Sequence, residues 1–145
     1  MRRFSNYLAG NGLPNVSSFT WSGGLIRGLR ASDAAAYAID LSQCYMAARH
    51  AGGSLSIVAK SQGCVIAERA LVLLNGAIEV DLFLRIGVPY SGALRLPHVA
   101  RIVNVTSSED RLFLIGTWLM PFVWRRPAAS IGTKPDEIRL VGLSH

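Results

Sequence analysis

Apolar residues along this chain fall into short unalternated runs, and helix-period stretches separate them. That pattern predicts the elements directly. A helix is expected over Arg2–Ala9 and a strand over Val16–Trp21. A longer helix over Ser32–Arg49 follows, with Ala34, Ala38, Leu41, Tyr45 and Ala48 on one stripe and Ser32-Asp33 as its start signal. After the Gly52-Gly53 break come a strand at Leu55–Ala59, a helix at Gln62–Leu74 with Ala67, Leu71 and Leu74 at helical spacing, and a strand at Val80–Gly87. A strand at Arg101–Thr106, an apolar segment at Leu112–Trp124, a Pro- and Gly-containing loop at Arg125–Pro135 and a strand at Ile138–Gly142 complete the order. Helices alternating with unalternated strands predict an α/β fold: a mostly parallel sheet with helices on both faces. No repeat or linker divides the 145 residues, half of them apolar, so residues 1–145 are expected to form one domain.

The stretch Ser54–Cys64 carries the most chemistry. An apolar run turns through Ser61 into a helix-forming segment, with Ala59 two residues before the serine and Gly63 two after it. Small residues at those places suit a sharp strand-to-helix turn that lifts a serine hydroxyl into the open as a nucleophile. Ser61 acting only as N-cap of the following helix is the alternative. In the nucleophile reading, the backbone N–H of Gln62 points from the helix N-terminus toward a developing oxyanion, and the Gln62 side chain is idle.

A serine nucleophile needs a base, and the base needs an orienting group. The chain has three histidines: His50 upstream of the serine, His98 leading into a strand, and His145 at the end of the sequence. Chain order favours His145, which follows the last expected strand; a plain chain-end histidine is the alternative. Glu109 and Asp110 stand in a polar loop after the strand Arg101–Thr106, at the sheet edge where open α/β sheets bind ligands. A solvated loop acid or a helix cap is the alternative.

With these residues in place, the chain resembles an α/β-hydrolase of the lipase and esterase type. The resemblance rests on Val16–Gly23 before the first long helix, on Ala59–Gly63 as the nucleophile turn, on Ile86-Gly87-Val88-Pro89-Tyr90-Ser91-Gly92, and on the loop Val105–Arg111. It implies a reduced hydrolase fold in which Ser61 is the nucleophile, Asp110 rather than Glu109 the acid, and His145 the general base. It also implies cleavage of a small-molecule ester or lipid through an acyl-enzyme. The chain departs from the family in having Ala59 where a glycine is usual, and in lacking the earlier strand and Gly-rich loop that donate the second oxyanion N–H. That points to a minimal or N-terminally truncated member, with Trp21-Ser22-Gly23-Gly24 as the local candidate for the missing donor. A catalytically weak or inactive member that binds a lipid or protein partner is the alternative function. An unpaired sheet edge left by absent strands would favour a homodimer.

The segment Arg111–Arg126 is the most apolar of the chain and shorter than the roughly twenty residues a bilayer span needs. Trp118, Leu119 and Phe122 are candidates for an acyl pocket or a lipid-interface contact beside the acid loop, and a buried packing segment is the bland reading. The net charge is +6, yet the basic residues are scattered and paired only at Arg2-Arg3 and Arg125-Arg126, so no nucleic-acid partner is expected. The two cysteines, Cys44 and Cys64, are read as small apolar packing groups, and no Cys/His spacing suggests a metal or cofactor. The N-terminus pairs basic residues with no apolar run behind them, so no signal peptide is read and a cytoplasmic location is expected.

Overall fold

The computed structural model describes residues 7, 10–12, 15–20, 27–87, 96, 98–107 and 136–140. Helix α1 (Arg27–His50) leads into strand β1 (Ser56–Lys60), helix α2 (Gln62–Leu74), and strands β2 (Val80–Ile86), β3 (Val99–Ser107) and β4 (Asp136–Leu140). The strands form one sheet in the order β1-β2-β3-β4, and every neighbouring pair is parallel. Chain order and spatial order coincide, so each strand lies beside its predecessor and all the carboxyl ends emerge at one edge.

Register follows from the alternation of burial. Ile57, Phe83 and Ile102 stand level across the sheet, as do Ala59, Arg85 and Asn104. In β1, Ile57 and Ala59 are buried while Ser56, Val58 and Lys60 are exposed, so a one-residue slip would exchange the two sets. The buried face meets α2, which turns Cys64, Ala67, Ala70 and Leu71 into the same core. α1 packs on α2 and contributes Ala38 and Leu41. The predicted stripe is therefore the buried one, with Ala34, Ala38 and Leu41 inside and Tyr45 and Ala48 partly covered.

Both helices end where the sequence supplies a left-handed residue. The N–H of Gly53 reaches the Ala48 carbonyl at 2.8 Å, while Gly52, at φ 67°, turns the chain out of α1 at no steric cost. Asn75, at φ 45°, closes α2 and donates its N–H to the carbonyls of Leu71 and Val72. Arg49 and His50 lie in the last turn of α1, where positive charge favours the carbonyl end of the helix dipole.

Two expectations change. α1 begins at Arg27 rather than Ser32, so Ser32 and Asp33 lie inside the helix and do not start it. Arg27, Leu29, Arg30 and Ala31 are good helix formers and carry the helix back across Gly28, whose cost is about 1 kcal/mol. Residues 15–20 form no strand; the Phe19 ring instead packs on Tyr37 of α1, with centroids 4.7 Å apart at 34°. Both described helices also share one face of the sheet. Val58, Leu82 and Leu84, on the other face, meet no described helix, and the helices expected there lie outside the described residues. So do the predicted helix Arg2–Ala9, apart from residue 7, and the apolar segment Leu112–Trp124.

Leu71 is fully buried where α2 meets the sheet, so Leu71→Ala is expected to destabilise by about 2–5 kcal/mol. Urea titration followed by circular dichroism measures it; a loss below about 1 kcal/mol would contradict this packing.

Candidate active site

Ser61 occupies the single residue between β1 and α2, at φ 51° and ψ −123°. That region is sparsely populated for a residue with a Cβ, and it persists only when the surroundings over-determine it. Three contacts do so. The Ser61 N–H donates to the Ile86 carbonyl at 2.8 Å, extending the β1–β2 ladder by one bond. Its own carbonyl accepts from the Cys64 N–H at 3.0 Å and opens α2. The Cys64 thiol donates to the Ala59 carbonyl at 3.3 Å, drawing the first turn of α2 onto the end of β1.

The side chain of Ser61 is left out of this arrangement. It makes no capping hydrogen bond to α2 although it holds the N-cap position, and the residue is exposed. An N-cap serine ordinarily turns its hydroxyl onto the second or third helical N–H from a β-region backbone. The backbone found here does not match that geometry, so the capping account of Ser61 fails. Gln62 is the first residue of α2 and half-buried, and the amides at such a start have no partner within the helix. Together they form a local donor set beside an exposed hydroxyl, reinforced by the positive end of the helix dipole.

The roles of the two small residues separate. Ala59 is buried, with its carbonyl under the Cys64 thiol, so the close approach of helix and strand lies on its side. A Cβ added at Gly63 would meet nothing within 4 Å, and its φ is not positive, so neither crowding nor backbone conformation demands glycine there.

Beneath the turn lies a polar group that the sequence pattern does not announce. Arg85, in β2 one residue before Ile86, is fully buried and meets Glu68 of α2 at 2.7 Å. Asn104, level with Arg85 on β3, is 3 % exposed, and its Oδ1 accepts no hydrogen bond from the described residues. The apolar run through β2 hid Arg85, and only its place two residues after the buried Phe83, on the same face, could have flagged it. Cys64 is no rival nucleophile. Burial pushes its thiol up to about 12 from an ordinary 9.0, Arg85 opposing and Glu68 adding to the rise.

The remaining expected site residues, Asp110, His145, Trp118, Leu119 and Phe122, lie outside the described residues, as does the loop Trp21–Gly24. Their strands are described: β3 ends at Ser107 and β4 at Leu140, level with each other and on the same sheet edge as Lys60 and Ser61. Among the described residues, no group of His, Cys, Asp and Glu could hold a metal ion, and no helix is long and apolar enough to cross a membrane. No protein-family model matches the chain, and no curated protein or solved structure matches it.

Burial also raises the Tyr37 phenol to about 12 from 10.0, with Cys44 and Asp40 adding. The unfolded chain thus releases the Cys64 and Tyr37 protons at lower pH than the folded one. Their contribution to stability is complete below about pH 9 and falls as pH rises toward about 12. The urea midpoint is expected to drop between about pH 8 and pH 10.5, and less steeply in Cys64→Ala. Equal slopes for wild type and Cys64→Ala would contradict the buried thiol.

Proposed function

We propose that this protein is a serine hydrolase of carboxylic esters, built as a reduced α/β-hydrolase. One observation carries the reading: Ser61 sits on a strained strand-to-helix turn at the carboxyl edge of a parallel sheet, its hydroxyl excluded from helix capping. Strain of this kind costs on the order of 1–3 kcal/mol and is concentrated at functional sites. A cap needs no such backbone; an exposed nucleophile does.

In the proposed cycle His145 takes the Ser61 proton as the oxygen attacks the ester carbonyl carbon. Asp110 holds the imidazole tautomer and stabilises the imidazolium. The Gln62 N–H donates to the oxyanion of the tetrahedral intermediate. The intermediate collapses by breaking its bond to the alcohol oxygen, which leaves with the proton from His145. Water, deprotonated by the same imidazole, then attacks the acyl-enzyme and releases the acid with Ser61 restored. Trp118, Leu119 and Phe122 would line the pocket for the acyl chain.

Chain reach supports the assignment. Neighbouring strands lie about 4.8 Å apart, so the ends of β3 and β4 are roughly 10 and 14 Å across the sheet from Ser61. Asp110 is three residues beyond β3 and His145 five beyond β4, which at about 3.3 Å per residue span roughly 10 and 16 Å.

Hydrolysis of p-nitrophenyl esters of graded chain length tests the proposal. Ser61→Ala and His145→Ala should each lower kcat by roughly 10⁴-fold or more, and Asp110→Asn by a comparable factor. Gln62→Ala should retain kcat within about threefold, since its backbone is the donor. Activity that survives Ser61→Ala, or a wild type no faster than buffer, overturns the proposal, and the second result would leave a fold that serves binding.

A further inference from the structure

We propose that the buried ion pair Arg85–Glu68 is a positioning device for the Ser61 turn. Its catalytic consequence rests on the ester-hydrolase reading above; its mechanical role does not. The Arg85 side chain is fully shielded and that of Glu68 is 10 % exposed, with Nη2 and Oε1 2.7 Å apart. Removing two charges from water costs free energy that their attraction recovers only in good geometry, and apolar replacements of similar volume are often as stable or more so. Stability alone therefore does not account for a guanidinium in this core.

The placement of the pair does. Arg85 immediately precedes Ile86, whose carbonyl accepts the Ser61 N–H. Glu68 lies on α2 two turns beyond Ser61, on the inward side with Cys64 and Leu71. The ion pair thus ties the carboxyl end of β2 to the first half of α2, and Ser61 bridges those same two elements. Apolar contacts have no direction and let a helix slide along its axis, whereas a short charged contact fixes one point of α2 against one point of β2. Sliding α2 would alter the Ser61 backbone and the aim of the Gln62 N–H together. A misplacement of about 1 Å from such a source is enough to cost about a hundredfold in rate.

The double variant Arg85→Met with Glu68→Leu separates positioning from stability. It is expected to keep a urea midpoint near that of the wild type while the Ser61 and Cys64 amides exchange hydrogen about tenfold faster and those of β3 do not change. The nitrophenolate burst that reports acylation by p-nitrophenyl acetate is expected to slow about tenfold or more at an unchanged substrate dissociation constant for the burst, and Arg85→Lys with Glu68 intact to recover part of it. Glu68→Gln, which removes the charge at constant volume, carries the same readout if the double variant does not fold. Unchanged exchange at Ser61 and Cys64 overturns the proposal, as does faster exchange spread evenly over the sheet. A wild type that shows no burst and turns over the ester no faster than buffer overturns the ester-hydrolase reading instead, and exchange at the turn still decides the positioning role.

Discussion

The hydrogen bond from the Ser61 N–H to the Ile86 carbonyl, at 2.8 Å, is the contact on which the rest of the site depends. It carries the β1–β2 ladder one residue past the last strand residue, at the point where the chain must already enter α2. Satisfying both demands forces Ser61 to φ 51° and ψ −123°. The cost, on the order of 1–3 kcal/mol, is borne by the packing around it. Ala59 and Cys64 close one side, Arg85 and Glu68 fasten the other, and Leu71 anchors the helix in the core.

From that constraint the architecture of the site follows. A parallel sheet sends all its carboxyl ends to one edge, so residues distant in sequence are delivered to a common place without any long-range design beyond strand order. Ser61 leaves β1 at that edge, and the segments holding Asp110 and His145 leave β3 and β4 there. The exposed Arg101–Asp136 pair at 2.9 Å joins β3 to β4 but is too solvated to contribute much. Register between those strands is carried by the ladder itself.

Much of this was legible in the sequence because burial on a sheet face leaves a strong pattern. The bounds of α2 coincide with those read from its helical spacing, and the β strands fall within two residues of expectation at each end. The stripe through Ala34, Ala38 and Leu41 is the buried one. Where tertiary contact decides, the pattern misled: Phe19 packs on Tyr37 and its segment forms no ladder, and Ser32-Asp33 is a start signal that the helix runs through. Cap and nucleophile turn are indistinguishable as letters, since both want a serine before a helix. The backbone angles of Ser61 and its missing capping bond speak against the cap alone. The buried Arg85 was hard to see because a charge in a largely apolar strand looks like a residue on its exposed side, as Asp81 is. Gly63, read as a small residue that suits the turn, has open space beside it among the described residues.

The central claim is that the turn makes Ser61 an activated nucleophile, and covalent labelling tests it most directly. The folded protein would be treated with a fluorophosphonate and the modified residue located by peptide mass spectrometry, with Ser61→Ala as control. A single adduct on Ser61 that disappears in the alanine variant is expected. Folded wild-type protein that takes up no label, or takes it up equally without Ser61, would contradict it.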